Sequence, residues 1–281
     1  MISPRDLCTL ESAKDYVFPA IKQSSDSVLQ RLIGRASSWL EEYLARSLAL
    51  AQYSERRNGT GTGQIMARHY PIVAVQSLWV DDAQVQVAPV TTAGESLIGG
   101  GFMDTSRFIY LRGGFGPIVS RSEFRRGTQN VLIQYTAGYI TPGILKLAAL
   151  PAWQPSANYA AGQQVIVGSI VFAAQNAGVS GGAPPAWPTQ TGTLIVDGSV
   201  TWLAAFPFQP PVAGATLLPE SIEMAAIELV GLQYRQRDRI GDTGTGIGPE
   251  RVNYFMGAMT KTTQESLKPF RNVVPDWEVI P

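Results

Sequence analysis

The chain has one cysteine, Cys8, and one histidine, His69, in 281 residues. A lone cysteine excludes an intrachain disulfide, and the two together exclude zinc sites built from Cys and His. A Cys–His or Ser–His–Asp catalyst would have to use these residues. His69, beside Tyr70 and Pro71, reads as a partly exposed histidine at a strand end, and Cys8 as a small buried apolar residue. Charge is also scarce, at 16% of residues, and balanced at 22 basic against 22 acidic. No global field therefore draws the chain to nucleic acid or anionic lipid. No apolar run approaches the roughly 20 residues needed to span a bilayer. The start, Met1 to Asp6, lacks the basic opening and apolar core of a signal peptide, so synthesis in a cytoplasm is expected. What is present is a hydrophobic fraction of 45%, enough for a real core. Low charge beside it suits a surface partly covered by other subunits.

Two amphipathic segments frame the chain. In 24–46, Leu29, Leu32, Ile33, Ala36, Leu40, Tyr43 and Leu44 recur at three- and four-residue steps, one apolar stripe on a helix. Ser24 to Ser27 offer N-caps, with a Ser27–Gln30 capping box. In 219–239, Ile222, Ala225, Ala226, Leu229 and Leu232 form a second stripe. Pro219 suits the first helical position, Glu220 and Glu223 the positive end, and Arg235, Arg237 and Arg239 the negative end. Small Ala225, Ala226 and Gly231 predict close packing of this helix on the first. Residues 9–18 read as a short helix, 144–150 as a helical scrap, and 250–268 as weakly helical.

Between the helices lies an antiparallel β region, 50–136. Asn58-Gly59 signals a hairpin with arms near 50–56 and 64–69. Further strands are expected at 71–80, 84–88, 107–111 and 130–136, with a turn at Asp81-Asp82. Gly59, Gly61 and Gly63 do not make a phosphate loop, because no Gly-Lys-Ser/Thr follows. The texture then changes. From Trp153 to Phe206 there is no Lys, Arg or Glu, and Asp197 is the only charge. Prolines bound the stretch on both sides. Strands are expected at 163–167, 169–174 and 199–204. The chain thus reads as α+β: a discontinuous helical core with an antiparallel β region, 1–150 and 208–281, carrying a small all-β module inserted at 151–207.

Several phrases, in order, resemble the head–tail connector (adaptor) proteins of tailed bacteriophages. They are the helix ending in the run from Ala36 through Trp39-Leu40-Glu41-Glu42-Tyr43 to Arg46, the run from Tyr53 to Gly59, Tyr70-Pro71-Ile72-Val73 leading to Asp81-Asp82, and the run from Val131 to Ala137-Gly138-Tyr139. The helix opened by Pro219 and the closing Lys268-Pro269-Phe270-Arg271 complete the series. The resemblance covers roughly 5–145 and 215–272. It implies a structural virion protein in the neck: a ring, commonly dodecameric, joining portal to tail or neck proteins around a channel through which DNA passes without sequence-specific binding. It implies no catalytic residues, metal, cofactor or membrane. Arg235, Arg237 and Arg239 serve either as the helix C-terminal complement or as contacts to an acidic portal surface or the DNA path. Phe270, Trp277 and Ile280 mark an apolar tail that docks on something.

The module is similar to small chitin-binding-type carbohydrate modules through Trp153, Tyr159, Gly162, Val165, Gly168, the Phe172-Ala173-Ala174 run and Trp187. Asp197 to Trp202 departs from that pattern. Trp153, Tyr159, Trp187 and Trp202 are read either as the module's own core or as a surface for sugar rings. The second function is accordingly a carbohydrate-binding virion protein attaching to a host or capsid surface. A glycan hydrolase is the third. It needs two carboxylates in one cleft; the β-region candidates are Asp81, Asp82, Asp104 and Glu123, and alternation sends neighbouring strand residues to opposite faces. Enzyme activity is not expected.

Overall fold

The computed structural model describes residues 1–17, 26–85, 101–104, 107–112, 123–236, 244–247, 250–253 and 259–272. In chain order the elements are α1 (Leu10–Val17), α2 (Asp26–Tyr43), β1 (Ala51–Gly59), β2 (Gln64–Met66), β3 (Ile72–Val80), β4 (Ala83–Val85), β5 (Gly101–Asp104), β6 (Phe108–Arg112) and β7 (Gly127–Ala137). Then follow α3 (Pro142–Ala148), β8 (Asn158–Tyr159), β9 (Gln164–Val167), β10 (Ile170–Ala174), β11 (Gly178–Val179), β12 (Leu194–Asp197), β13 (Val200–Pro207), α4 (Glu220–Gln236), β14 (Gly244–Ile247), β15 (Glu250–Asn253) and α5 (Lys261–Leu267). The class is α+β with antiparallel sheets.

The chain divides into two compact units: 1–46 with 141–210 and 217–281, and 47–140 with 211–216. In the second unit the long β7 is the organising strand. It takes β1 on one side and β3 on the other, in the order β1-β7-β3-β4, beside a separate sheet β2-β6-β5. Val131, Ile133 and Tyr135 alternate inward along β7 and meet Leu78, Val80, Ile65, Ile109 and Phe124 in one core. The hairpin expected between 50–56 and 64–69 is not formed. β1 runs on through Asn58 to pair with β7, and β2 pairs with β6. Gly59 is instead held by Asn130, whose Oδ1 accepts from Gly59 N at 2.9 Å. The Asp81-Asp82 turn is formed, with both residues at positive φ (52° and 60°) between the paired Val80 and Ala83.

In the first unit α2 packs against α4, and α1 and α5 also lie on α4. Leu29, Ile33, Ala36 and Leu40 of α2 are buried, as are Ile222, Ala225, Ala226, Leu229 and Val230 of α4. The two expected stripes thus meet across the intervening chain. Pro219 stands just ahead of α4, where its carbonyl accepts from Ile222 N (2.9 Å) and Glu223 N (3.2 Å). The Ser27–Gln30 capping box gives way to a longer-range bond, Gln30 Nε2 donating to Asp6 Oδ2 at 2.8 Å. The scrap at 144–150 is a true short helix, α3, capped by Thr141, whose Oγ1 accepts from Ile144 N. Residues 250–268 split into strand β15 and helix α5 rather than one weak helix.

Residues 151–207 belong by contact to this first unit, yet they carry a separate core. Its members are Tyr159, Val165, Ile170, Phe172, Ala174, Val200, Trp202 and Ala204, with Trp153, Val167, Trp187 and Ile195 packed against it. Four strands form the sheet β12-β13-β10-β9. One of them, β12, lies outside every strand expected from the sequence.

Candidate functional site

The module is built from one hairpin used twice. Gly162 and Gly168 flank β9 as Gly192 and Gly198 flank β12, thirty positions later, and their φ angles match pairwise: 82° and 84°, 60° and 62°. Each hairpin turns on Gly-Ser, with glycine first, as a two-residue turn with positive φ at its first position requires. Gly162 N donates to Ala174 O at 2.7 Å, and Gly192 N to Ala204 O at 2.7 Å. The hairpins pair through β10 and β13, where Ala173 faces its own counterpart Leu203, Phe172 faces Ala204, and Ala174 faces Trp202. Over these three pairs the pairing is symmetric about Ala173–Leu203, a local dyad that ends at the register shift between Val171 and Phe172. The outer strands β9 and β12 are equivalent edges.

Aromatic side chains fill the inner face. Trp202 is fully buried and Tyr159 is nearly so; their rings meet edge-on at 4.8 Å. Trp187 lies 4.5 Å from Phe172 and 6.0 Å from Trp202, and Trp153 lies 6.3 Å from Trp187. At the centre is the module's single charge. Asp197 is buried; its Oδ2 accepts from Trp153 Nε1 (2.8 Å) and Trp202 Nε1 (3.2 Å), and its Oδ1 from Gly181 N (2.7 Å). The Tyr159 hydroxyl accepts from Gln154 N at 2.7 Å. Of the four aromatics proposed as a sugar surface, Tyr159 and Trp202 have no free ring face, because they are the core itself. Trp153 and Trp187 are half-buried.

The remaining candidate residues fall at the far end of α4 and in the tail. Arg235 is exposed in the last turn of α4. Arg237, Arg239, Trp277 and Ile280 lie outside the described residues. Phe270 is half-buried in the 3₁₀ turn 268–270 that follows α5. The described start of the tail docks on its own chain. Asn272 N donates to Leu44 O at 2.8 Å, just past α2, and the Arg271 guanidinium lies 5.6 Å over the Tyr43 ring. This satisfies a carbonyl that the end of α2 leaves open.

A small cavity of about 100 Å³ lies beside α1 and α3, lined by Asp6, Cys8, Glu11, Gln30 and Lys146 among others. Asp6 is buried there, and burial pushes its carboxyl up to about 6, against the bonds from Ser3 N and Gln30 Nε2. Burial also pushes the Cys8 thiol up to about 12, with Asp6 and Glu223 adding to it. That makes Cys8 an inert structural thiol. In the second unit His69 stacks on Tyr53 at 3.7 Å. Its backbone N–H donates to Tyr135 Oη, which in turn donates to Glu55 Oε1, both at 3.1 Å. Burial raises the Tyr135 phenol well above its ordinary value, with Glu55 adding to the shift. Among the described residues no three His, Cys, Asp or Glu side chains stand together as metal ligands, and no helix is long and apolar enough to cross a membrane.

No family profile and no curated protein matches the sequence. Among the solved structures that resemble the chain in part are two chains of gene transfer agent particles. One is a chain in the neck of an empty gene transfer agent particle, at 17% identity over 53% of this chain and 76% of that chain, with a TM-score of 0.30. The other is a chain of the native gene transfer agent virion, at 18% identity over the same shares, with a TM-score of 0.30. A likeness this slight assigns neither fold nor role.

Proposed function

We propose that the chain is a structural protein of a phage-like particle, a head–tail connector that forms a ring, dodecameric in the reading from sequence, between portal and tail. The observation that carries this is the pairing of α2 with α4. Connector-like phrases sit on both helices, and the order of phrases along the chain follows the split helical frame. The apolar side chains left exposed on this frame, Val28, Leu145, Leu217 and Met224, suit burial against neighbouring subunits, as head-to-tail ring contacts require two different faces per copy. Arg235, with Arg237 and Arg239, is proposed for the portal side. DNA in the channel is proposed to pass without sequence-specific contact, since tight phosphate binding would arrest it. The module is proposed as an insertion on this core, separable from the joint.

Native mass measurement and negative-stain imaging of the purified chain, alone and with portal particles, test the reading. A closed ring with a central opening, retained when 152–207 is deleted, is expected. A chain that stays monomeric at micromolar concentration and does not bind portal particles sinks it. The carbohydrate reading now rests on Trp153 and Trp187. Retention of the intact chain on chitin, lost with the module, would revive it.

A further inference from the structure

The local dyad makes the β9 and β12 edges equivalent, but the chain treats them differently. At the β9 edge Ile166 bridges Ala152 in parallel fashion. Gln164 clamps Ile2, its Oε1 accepting from Ile2 N at 2.8 Å and its Nε2 donating to Ile2 O at 2.9 Å. Gln164 is 6% exposed. Thirty positions on, the residues in the same places are Leu194 and Val196. They are 59% and 69% exposed, on a strand that ends its sheet. Their backbone faces the same way. Ala204 N donates to Thr193 O, so in this register Ile195 and Asp197 also bond toward β13, and alternation turns the N–H and C=O of Leu194 and Val196 outward.

Edge strands in soluble proteins ordinarily carry charge, proline or a bulge that discourages pairing. β12 has none of these. Its one charged residue, Asp197, points inward and is held by three donors. We infer that β12 pairs edge to edge, antiparallel, with β12 of a second copy, joining two modules into one eight-stranded sheet. The strand is complementary to itself in one register. With Ile195 opposite Ile195, each Leu194 stands beside Val196 of the other copy. The outward N–H and C=O groups of 194 and 196 then meet as hydrogen-bonded pairs, and Ile195 extends the inner core across the join. An uncharged edge meets its copy with no repulsion, whereas an acidic or basic partner finds no countercharge here. This contact is two-fold and stands apart from the head-to-tail contacts of the connector reading.

Sedimentation of the full chain over a concentration series tests the pairing, with Val196→Lys as the variant. Val196 is exposed, so the fold tolerates the change, and an unchanged melting temperature verifies this. The expected result is a reversible doubling of mass, of the monomer or of the ring, shifted at least ten-fold toward higher concentration by Val196→Lys. In a second arm, Ile195→Cys under mild oxidation should give a disulfide-linked dimer, because directly opposed residues in a non-hydrogen-bonded pair lie close enough to bridge. Buried Cys8 leaves the parent chain uncrosslinked. Coincident mass series for parent and Val196→Lys overturn the proposal, as does absence of cross-linking in a folded Ile195→Cys chain. Rings that fall apart in Val196→Lys also overturn it, by making the edge a ring contact. Failure to form rings with pairing intact overturns the connector reading alone.

Discussion

The two hairpins of the module share a backbone plan and differ in what surrounds them. In the first, Gln164 and Ile166 are covered by the chain, and the turn at Gly168 is open, with nothing near a would-be Cβ. In the second, Leu194 and Val196 are bare, while the turn at Gly198 is pressed under the β11 segment, where a Cβ would come 2.4 Å from Val179 O. The position before the turn shows the same reversal. Val167 packs apolar atoms on the core, and its counterpart Asp197 brings a carboxylate. One template thus gives two environments, and each side chain is explained by its cover, not by its place in the hairpin.

The comparison can be broken at matched positions. The largest effect is expected at the pre-turn pair. Asp197→Ala removes the acceptor for two indole N–H groups and a backbone N–H, and should cost about 3–5 kcal/mol in denaturant unfolding, against about 1 kcal/mol for Val167→Ala. Equal losses would mean the carboxylate is not the pin of the aromatic core. Next come the turn glycines, both at positive φ. Gly198→Ala adds a steric clash to the conformational penalty and should cost about 2–3 kcal/mol, Gly168→Ala only about 1 kcal/mol. Melting curves of the pair decide whether the crowding under β11 is real.

The cover over the first hairpin adds a pH dependence. Asp6 holds Ser3 beside the clamped Ile2, and burial holds its carboxyl at about 6 in the folded chain, above its ordinary 3.8. The folded form therefore keeps a proton that the unfolded form releases. Stability from this group is full below about pH 4 and is lost as pH rises through 6. Between pH 7 and pH 4 it should contribute about 2 kcal/mol, absent in Asp6→Asn. Parallel pH–stability curves for the two chains would refute the assignment. The smallest contrast is at the edges. Gln164→Ala frees Ile2 and should cost about 1–2 kcal/mol, while Leu194→Ala should stay within about 0.5 kcal/mol in dilute solution.

Local patterns carried much of this fold. The stripes of α2 and α4 and the Asp81-Asp82 turn are signals written within a few turns of chain, and each has its structural counterpart. The failures share a cause, which is competition from distant partners. Asn58-Gly59 promises a hairpin, but the eleven-residue β7 offers β1 a longer ladder. Ser27 and Gln30 promise a box, but Asp6 claims Gln30. The repeat was legible as two glycine pairs six apart, each followed by Ser and an apolar run. It escapes notice because residues differ between the copies on both faces: Gln164 against Leu194 on the outer face, Val167 against Asp197 on the inner one. The buried role of Asp197, like the fate of Trp202, depends on that repeat. The arginines of α4 and the tail aromatics carry no comparable local signal of what they touch.

The clamp on Ile2 has a consequence for how the chain is made. Its partner Gln164 lies 162 positions downstream. At about 5–20 residues per second, a ribosome delivers Gln164 roughly 8–30 s after Ile2. Throughout that interval the segment around Ile2 has no latch, and α2 has no α4 to cover its greasy side. The latch comes with Gln164, but the cover for α2 comes only when α4, Glu220–Gln236, has been read, and holdase chaperones would find their substrate in that window.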